Sequence, residues 1–305
     1  MTTSRRSFLK SSALAVAGTA MFSNEIFAAK KGKKILGIQL YSVRDDMMKD
    51  PMGTLKQLAD MGYVYVEHAN YIDRKFYGHT ATEFKKALDG MGLKMKSGHT
   101  VMNSKHWDEG KKDFTDIWKD TVEDAAICEQ EYVISPWLDD QYRKTYDDLK
   151  RYMEVFNKSG ELCKKSGMKF GYHNHDFEFS QKLNDVKVFD IILQNTDASL
   201  VAQQLDIGNM YHAGGIALDI IKQYPGRFEL MHVKDEIKTK GKGEMGGSYE
   251  STILATGIIP VKEIVDLGRK SGGTKHFIIE QESYQDKTPL ACAKEDLGIM
   301  KKWGY

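Results

Sequence analysis

Short apolar runs alternate with longer amphipathic segments along the chain from Lys34 onward. Apolar runs bounded by turn residues are typical of buried strands, and apolar residues spaced three and four apart are typical of helices. The predicted strands lie at 35–41, 63–68, 93–99, 131–137, 170–179, 200–209, 228–235 and 276–282. The predicted helices lie at 53–62, 81–91, 108–129, 145–167, 185–195, 216–224, 260–271 and 290–303. The order of these elements predicts repeated strand–helix units.

This alternation indicates an α/β fold in which parallel strands form one sheet. Eight strand–helix pairs favour closure into a (β/α)8 TIM barrel over an open sheet. Neither a linker nor a shift in composition interrupts residues 30–305, so we expect a single domain there. The segment 236–259 is long and rich in glycine, and long loops in compact domains are commonly lids or substrate-binding edges. We therefore expect this segment to border the functional site.

Each of the last four predicted strands carries a polar residue of a metal-ligand type near its end. These residues are His173 or His175, Asp206, His232 and Glu280. A polar side chain at the end of a buried strand is costly unless it is hydrogen-bonded, paired or bound to a metal. The ends of parallel barrel strands converge at one rim, where imidazole and carboxylate together suit a divalent ion with open positions for substrate. The pattern predicts a metal-dependent enzyme that holds one divalent ion: manganese, cobalt, zinc or magnesium.

The roles of several candidates stay open at this point. His173 and His175 are two residues apart and face the same side of a strand, so one can be a ligand while the other orients substrate or packs. Lys234 could stabilise a developing oxyanion, although an isolated lysine is ordinarily a surface residue. Glu280 and Glu282 also share a face, and one ligand with one supporting carboxylate is the economical interpretation.

Polar residues that could contact substrate also follow other apolar runs. Glu67 and His99 end the second and third predicted strands, so they could reach substrate hydroxyls from the opposite wall of the barrel mouth. Asn209 closes the motif LDIGN and is a third candidate for substrate binding. Asp206, in the same motif, could be a turn-forming aspartate, but its place after an apolar run favours a ligand.

The first residues of the chain predict an export signal. Residues 4–10 read SRRSFLK, and an apolar stretch of small residues then leads to Ala28 and Ala29. This layout is typical of a cleavable signal, and its paired arginines resemble the twin-arginine type. The apolar stretch is too short for a stable membrane span. We therefore expect a signal peptide at 1–29, a periplasmic location, and no stable membrane insertion after cleavage.

Charge and cysteine usage narrow the possible partners. Lysine plus arginine number 44 and aspartate plus glutamate 43, which leaves a net charge of +1. A nearly neutral protein has no overall positive potential that would attract a polyanion, so this balance argues against nucleic acid as the main partner. Cys128, Cys163 and Cys292 are widely spaced without a CxxC pair, which predicts small apolar residues rather than disulfides or a zinc knot.

Four motifs resemble those of the xylose isomerase-like barrel superfamily, within its sugar isomerase/epimerase group. They are YHNH (172–175), LDIGN (205–209), HVKD (232–235) and IIEQE (278–282). The resemblance covers nearly all of 34–303 and implies an eight-stranded barrel with a divalent ion at its carboxyl-terminal rim. Epimerases of the family hold this ion with a glutamate, an aspartate, a histidine and a second glutamate. By order, the matching positions are His173, Asp206, His232 and Glu280. His175 then becomes the candidate acid/base group.

His173 departs from the epimerase pattern, because a glutamate usually stands at this position. That glutamate serves some relatives as one of two acid/base groups, so its replacement argues against a two-glutamate mechanism. Histidine fits better with branches of the family that include dehydratases and lyases acting on 3-keto-glycosides. Glu178 follows a few residues later and could swing in as a substitute catalytic carboxylate.

The expected chemistry begins with removal of a proton next to a carbonyl, which a barrel-rim metal beside a histidine base can assist. Reprotonation gives an epimer or an isomer, and loss of a leaving group gives elimination. The leading hypothesis is an isomerase or epimerase of an unphosphorylated carbohydrate, because sugar phosphates are mainly cytoplasmic. The alternatives are a 3-keto-glycoside lyase and a non-catalytic sugar-binding barrel. Relatives are often dimers or tetramers, and one sequence leaves the oligomeric state open.

Overall fold

Eight parallel strands form a closed barrel in the computed structural model, which describes residues 36–305. We number the strands β1 to β8 in chain order: Leu36–Gln39, Tyr65–His68, Lys94–His99, Tyr132–Ser135, Lys169–His173, Val201–Asp206, Leu230–Val233 and His276–Ile279. Each strand pairs with its neighbours in the chain, and β1 also pairs with β8. The predicted (β/α)8 barrel is confirmed. The predicted export signal at 1–29 lies outside the described residues.

Helices surround the barrel. They are α1 to α11: Arg44–Lys49, Pro51–Met61, Ala81–Gly90, Asp116–Ile127, Tyr146–Lys164, Phe177–Ser180, Val188–Asn195, Asn209–His212, Ala217–Gln223, Val261–Leu267 and Pro289–Lys302. The longest, α5, begins after Thr145, whose hydroxyl accepts the backbone N–H of Asp148 at 3.1 Å and so caps the helix. Within 36–305, every helix is too short or too polar to span a bilayer.

Several short antiparallel pairs and single helical turns complete the described residues. The paired strands are Tyr71–Ile72, Lys75–Phe76 and His79–Thr80, Trp107–Asp108 and Asp113–Phe114, Lys182–Leu183 and Val186–Lys187, and Asp235–Lys238 and Tyr249–Thr252. The single turns are Leu40–Val43, Asp140–Tyr142, Glu244–Gly246 and Gly268–Gly272. All of these lie in the connections between barrel strands and helices.

Two glycines make room for the side chains that fill the barrel. A Cβ atom on Gly37 would lie 2.2 Å from the Tyr65 ring, and one on Gly171 would lie 2.4 Å from Ile134. The Tyr65 and Ile134 side chains are buried and pack with other apolar residues in the barrel interior. The absence of a side chain at these two positions therefore allows large residues on neighbouring strands to close the barrel floor.

The strand register places the predicted site residues side by side. His173 on β5 is aligned with Gln204 on β6, and Asp206 is aligned with His232 on β7. Side chains at the carboxyl ends of adjacent parallel strands therefore point towards one rim of the barrel. Glu280 follows β8 directly and comes to the same rim.

Six strands end earlier than their apolar runs predict: β1, β4 and β7 by two residues each, and three others by more. β5 ends at His173 rather than residue 179, β6 ends at Asp206, and β8 ends at Ile279. The side chain of Asn174 explains the ends of β5 and β6, because it donates to the backbone carbonyl of Asp206 at 3.1 Å and accepts its N–H at 3.0 Å. The Asn174 side chain thus takes the place of the next backbone hydrogen bonds between β5 and β6. The residues that directly follow His173, up to residue 180, form a short loop and α6.

The predicted long loop at 236–259 contains a structured hairpin. Asp235–Lys238 pairs with Tyr249–Thr252 in an antiparallel ladder, and we call residues 235–252 the rim hairpin. The carboxylate of Asp235 anchors its base, since it accepts the backbone N–H groups of Gly257 at 3.0 Å and Ile259 at 3.1 Å. Main-chain pairing therefore gives this segment a defined path beside strand β7.

Replacing Asp296 by asparagine is expected to stabilise the fold at pH 8 and to change it much less at pH 5. Burial raises the pKa of Asp296 to about 7, above the ordinary value near 4. The folded state therefore retains this proton longer than the unfolded state, and stability falls as pH rises from about 4 to 7. Asparagine keeps the acceptor for the Leu254 N–H and removes a penalty of about 4 kcal/mol at pH 8. Urea unfolding at both pH values measures the difference.

The control for this substitution is Asp286→Asn, because Asp286 is exposed and is close to Asp296 in the sequence. We expect it to have little effect at either pH. An equal change in the free energy of unfolding at pH 5 and pH 8 for Asp296→Asn would contradict the proposed proton linkage.

Candidate metal and active site

Three side chains of metal-ligand type converge at the ends of β6, β7 and β8. His232 Nδ1 lies 3.0 Å from Glu280 Oε2 and 3.5 Å from Asp206 Oδ2. All three residues are buried, and one ligand atom from each lies within 4.8 Å of the others. We call Asp206, His232 and Glu280 the candidate metal site. The structure therefore brings together three of the four residues predicted as metal ligands.

One carboxylate oxygen in the candidate metal site is buried and accepts no hydrogen bond from a described residue, although it lies 3.5 Å from His232 Nδ1. Asp206 Oδ1 accepts the backbone N–H of Asn209 at 2.6 Å, but Oδ2 makes no hydrogen bond with any residue in 36–305. Burial alone would raise the pKa of Asp206, but Lys234 and His232 hold it well below its ordinary value, so the group is a carboxylate. A buried carboxylate oxygen without a hydrogen bond is costly, and a divalent cation would offset that cost. The donor set of one imidazole and two carboxylates fits such an ion.

His173, the fourth predicted ligand, belongs to an adjoining group of histidines. Ligand atoms of His99, His173 and His232 lie within 4.8 Å of one another. The centre of the His232 ring lies 4.7 Å from that of His173 and 5.3 Å from that of His99. His232 is therefore shared by the candidate metal site and this histidine group, which places His173 beside the site. His175 belongs to neither group.

Gln204 fixes the orientation of two of these histidines. Its Oε1 lies 2.7 Å from His99 Nε2 and 3.1 Å from His173 Nδ1, and its Nε2 donates to Glu67 Oε2 at 2.8 Å. With the amide turned this way, His99 Nε2 and His173 Nδ1 carry the protons. The lone pair of His173 is then on Nε2, the nitrogen that faces Asn209 Nδ2 at 3.4 Å. His173 thus keeps one nitrogen able to bind a metal or accept a substrate proton.

Glu67 lies beneath the site rather than on its surface. It is fully buried and accepts hydrogen bonds from Gln39 at 2.8 Å, from Gln204, from the Ser97 hydroxyl and from His232 Nε2 at 2.6 Å. Burial alone would raise its pKa, but the charges and hydrogen bonds of His99 and His232 outweigh burial and hold the pKa well below its ordinary value. Glu67 was predicted to bind substrate, and the structure instead surrounds its carboxylate with protein donors. Its observed contacts orient His232, as carboxylates that support metal-binding histidines commonly do.

The carboxylates around His232 favour a positive charge at this point of the barrel. Burial alone would lower the pKa of His232, but Glu280, Glu67 and Asp206 together raise it well above its ordinary value. A proton or a metal ion can supply the positive charge that these carboxylates require. The electrostatics of the site therefore agree with the geometric evidence for a cation.

A cavity of about 280 Å³ opens above the candidate metal site, and we call it the inner cavity. Its lining residues are Tyr41, Ala69, His99, Val101, Pro136, His173, His175, Asn209, Glu280 and Glu282. Four of these residues are apolar or aromatic, and the others are three histidines, an amide and two carboxylates. His99 and Asn209, both predicted to bind substrate, line this cavity. Small ligands are commonly held by such a combination of apolar walls and a few polar groups.

His175 faces the inner cavity with a neutral ring. Its ring meets that of Trp137 edge to face, with centres 5.3 Å apart, and its Nδ1 is buried with no hydrogen-bond partner among the described residues. Burial lowers the pKa of His175 to about 4, so the imidazole is unprotonated at neutral pH. The side chain can therefore accept a proton from a molecule in the cavity.

A second cavity of about 540 Å³ adjoins the first, and we call it the outer cavity. The two share Ala69, His99 and Val101 as lining residues. Val101 and two further apolar residues of the outer cavity, Ile72 and Ile117, are exposed to solvent. The space above the candidate metal site therefore continues sideways into a larger and more apolar lobe.

Lys234 and Glu178, both predicted to be catalytic, are absent from the residues that line the inner cavity. Lys234 is fully buried; its ammonium group donates to Asn209 Oδ1 at 3.1 Å and pairs with Glu282 Oε1 at 2.5 Å. Burial alone would lower its pKa, but the neighbouring carboxylates outweigh burial and keep the group charged. Lys234 thus holds two residues that do line the cavity.

Glu178 is on α6 and is also fully buried. It accepts hydrogen bonds from the Tyr172 hydroxyl and from the backbone N–H of His175 at 2.9 Å. Burial raises its pKa to about 7. A swing of Glu178 into the cavity would break both hydrogen bonds, whereas its observed contacts position the loop that carries His175.

The sequence interpretation missed Gln204, which connects Glu67 with His99 and His173. Its signal was present, because Gln203 and Gln204 interrupt the apolar run LVAQQL. A buried strand carries an amide at a cost unless the amide is hydrogen-bonded. Such a residue next to predicted ligands is therefore a candidate for orienting them.

The fold agrees with the comparison of this sequence with known families. Residues 55–303 match the xylose isomerase-like TIM barrel family. Because the match covers most of the chain, this protein belongs to that family.

Several relatives of known name are inosose dehydratases. The enzyme of Clostridium perfringens is 29% identical over 169 residues, which are 51% of this chain and 55% of that protein. The enzyme of Bacillus licheniformis is 27% identical over 191 residues, 57% of this chain and 62% of that protein. The matched segment thus spans little more than half the length of these relatives.

Solved structures extend the similarity over most of the barrel. A sugar phosphate isomerase/epimerase from Parabacteroides distasonis has a TM-score of 0.75 at 24% identity, and the match covers 87% of this chain and 93% of that one. The IolI protein with a binding zinc atom has a TM-score of 0.67 at 12% identity, over 88% of this chain and 97% of that one. At these identities the similarity shows a shared fold.

Proposed function

We propose that this protein is a metal-dependent lyase that acts on a keto-sugar derivative. It would remove a proton next to a carbonyl and then expel a leaving group from the neighbouring carbon. The observation that carries this proposal is the group of Asp206, His232 and Glu280 beneath a cavity lined by histidines, in which the buried Asp206 Oδ2 accepts no hydrogen bond from a described residue. The inosose dehydratases among the relatives support elimination as the outcome. Isomerisation and epimerisation share the first step and remain the outcomes against which elimination is tested.

The ion would be held by Asp206, His232 and Glu280, with His173 Nε2 as the nearest further nitrogen. When bound, it would supply a Lewis acid that polarises the carbonyl of the substrate. Glu67 would keep the His232 ring in place from below, through the hydrogen bond to Nε2. The nitrogen of His232 that faces Asp206 and Glu280 is then Nδ1.

His175 is the proposed base. Its neutral ring lines the inner cavity, and its Nδ1 makes no hydrogen bond with a described residue. A general base must lie within hydrogen-bond reach of the proton that it removes. Trp137 on one side and the Glu178 contact with the His175 backbone hold this position.

The two adjoining cavities support a 3-keto-glycoside as substrate. The inner cavity is close to the lower end of the range for ligand pockets, about 300 Å³, so it suits one sugar ring. The outer cavity would hold the group attached to that ring through a glycosidic oxygen. Its apolar residues Ile72, Val101 and Ile117 suit a less polar aglycone better than a second hydrated sugar.

The proposed elimination removes a proton from carbon 2 and breaks the bond between carbon 1 and the glycosidic oxygen. The base takes the proton from carbon 2, and the electron pair of that C–H bond forms an enolate with the carbon 3 carbonyl. The enolate collapses, a double bond forms between carbons 1 and 2, and the bond from carbon 1 to the glycosidic oxygen breaks. The released oxygen takes up a proton, so the products are a 2-hydroxy-3-keto-glycal and an alcohol.

We also propose that the protein works outside the cytoplasm. The support is the predicted twin-arginine signal at 1–29, whose arginine pair is Arg5 and Arg6. Export would separate the protein from the cytoplasmic pool of sugar phosphates and agrees with an unphosphorylated substrate.

The experiment is a proton NMR assay in heavy water with metal-loaded protein, a panel of free keto-sugars and a panel of 3-keto-glycosides. The proposal predicts release of the alcohol from a 3-keto-glycoside and loss of its carbon 2 proton signal. Deuterium entry with an epimer or isomer as product would replace the lyase by an isomerase or epimerase. Saturable binding without deuterium entry for any substrate would favour a non-catalytic sugar-binding barrel.

Replacing His175 by glutamine is expected to slow proton removal by about 100-fold or more. The metal content should stay unchanged, because His175 lies outside the candidate metal site. The measurement is the initial rate of deuterium entry in the same NMR assay, together with the metal content. His79→Gln, on a peripheral hairpin, is the matched control and should keep the full rate. A His175→Gln protein with an unchanged rate would exclude this histidine as the base.

A further inference from the structure

A second group of metal-ligand side chains lies between α8 and the rim hairpin. It consists of His212, Glu236 and Glu244, and one ligand atom from each lies within 4.8 Å of the others. His212 is the last residue of α8, Glu236 is on the first strand of the hairpin, and Glu244 is in the turn between the two hairpin strands. The folding of the hairpin over α8 therefore brings together residues from three separate segments.

Two members of this group are buried without hydrogen-bond partners. Glu236 has no exposed surface, and neither of its carboxylate oxygens accepts a hydrogen bond within the described chain. The side chain of His212 is 3% exposed, and neither ring nitrogen makes a hydrogen bond there. His212 Nε2 lies 3.2 Å from Glu236 Oε2, but the orientation is not that of a hydrogen bond. Buried polar atoms are rarely left in this state, and a cation between them would satisfy both.

Neighbouring groups hold the third member in position. Glu244 Oε1 accepts three hydrogen bonds: from the backbone N–H of Ser251 at 2.9 Å, from the Ser251 hydroxyl at 2.6 Å and from the Ser283 hydroxyl at 2.6 Å. Its other oxygen, Oε2, is buried and makes none with a residue of 36–305. That oxygen lies 3.2 Å from the Lys234 ammonium group. A carboxylate anchored through one oxygen, with the other free of hydrogen bonds, is the arrangement expected of a supported metal ligand.

Gly208 leaves the space that Glu236 occupies. A Cβ atom at position 208 would lie 2.6 Å from Glu236 Oε1. The lack of a side chain there therefore allows Glu236 to turn inwards towards His212 rather than outwards to solvent.

The local charges also call for a second cation. In the described part of the chain Lys234 is the one buried lysine, and no arginine is buried. Its ammonium group pairs with Glu282 at 2.5 Å and lies 3.2 Å from Glu244 Oε2. An ion at the candidate metal site would be matched by the carboxylates of that site. Of the described residues, Lys234 is then the one buried lysine near the three carboxylates of Glu236, Glu244 and Glu282. A divalent ion would supply the positive charge that this lysine alone does not provide.

We propose that His212, Glu236 and Glu244 form a second divalent metal site that pins the rim hairpin to α8. One imidazole, two carboxylates and a water molecule make a donor set suited to four-coordinate zinc. The site is separate from the one containing Asp206, and it does not depend on which reaction the protein performs. Its role is structural, because it fixes the hairpin next to Lys234, the residue that holds Asn209 and Glu282 at the inner cavity.

The test counts zinc in the full chain with the first site disabled. Asp206→Asn protein is stripped with chelator, loaded with zinc, desalted, and analysed by calorimetric titration and elemental analysis. The proposal predicts one zinc ion per chain, and loss of that ion when Glu236→Gln or His212→Gln is added. Glu250→Gln, on the second strand of the same hairpin, is the matched control and should retain the ion. Circular dichroism confirms that each variant is folded.

A second readout follows the hairpin itself. Lys240 and Lys242 are exposed near its tip, so trypsin can cut there when the hairpin opens. Zinc should slow this cleavage about tenfold or more in Asp206→Asn protein and leave it unchanged when Glu236→Gln is added. Equal zinc binding with and without Glu236→Gln would overturn the second site. Zinc that binds the unmodified protein but is wholly lost in Asp206→Asn would overturn it while leaving the first site in place, and failure of the unmodified protein to bind any divalent ion would overturn both.

Discussion

Replacing Asp206 by asparagine is expected to lower turnover by about a thousandfold or more and to remove one metal ion per chain. The substitution keeps the size of the side chain and the acceptor for the Asn209 N–H. It removes the negative charge of the buried oxygen that has no hydrogen-bond partner among the described residues. The remaining imidazole and single carboxylate are a weaker donor set for a divalent ion. Elemental analysis and the heavy-water NMR assay measure the two losses on the same sample.

The matched control is Asp190→Asn on α7, where the carboxylate accepts a hydrogen bond from the Tyr224 hydroxyl away from the rim. We expect this variant to keep both its metal and its activity. Turnover by Asp206→Asn at the normal rate after complete removal of metal would exclude the metal-dependent mechanism. Loss of turnover with full retention of the ion would instead assign Asp206 to substrate binding.

The barrel could be predicted because its pattern is set by local physics. The strand that carries His232 is an apolar run next to a helical pattern, and the same arrangement recurs around the ring. In a parallel barrel the ends of such strands come to one rim, so polar residues at strand ends are close in space wherever they are in sequence. This rule alone was sufficient to bring Asp206, His232 and Glu280 together.

The roles of individual side chains could not be predicted, because they depend on register and on small rotations at strand ends. His173 and His175 share a face in an ideal strand, but β5 ends at His173 and only His173 contacts Gln204. Glu67 has the same sequence signature as a substrate-binding carboxylate, and its four hydrogen bonds with protein groups become visible only in the closed barrel.

The group formed by His212, Glu236 and Glu244 was hidden for a different reason. These residues have neither a fixed spacing nor a shared periodicity, and they meet because a hairpin folds over a short helix. The sequence indicated a long glycine-rich loop at 236–259, which is correct in position but says nothing about pairing. Contacts made by a loop depend on its path, and periodic patterns do not encode that path.

Replacing Lys234 by methionine is expected to destabilise the fold by about 3–5 kcal/mol, since the substitution removes the cation of a buried cluster of ion pairs. Methionine has a similar length, so the packing of the carbon chain is largely preserved. Glu282 and Glu244 would lose the ammonium group that lies 2.5 Å and 3.2 Å from their oxygens. Urea unfolding at pH 7 measures the loss. Lys238→Met, an exposed position on the same hairpin strand, is the control and should change stability by about 0.5 kcal/mol or less.

A double variant separates the charge of Lys234 from its volume. If unpaired carboxylates cause the destabilisation, adding Glu282→Gln to Lys234→Met removes one of them and should recover about 1–2 kcal/mol. Glu282→Gln alone should destabilise the protein, because it leaves Lys234 with less compensation in a buried position. The two substitutions would therefore be less harmful together than the sum of their separate effects. A double variant no more stable than Lys234→Met would mean that the lysine supports the cavity floor through packing, and that its ion pair with Glu282 contributes little.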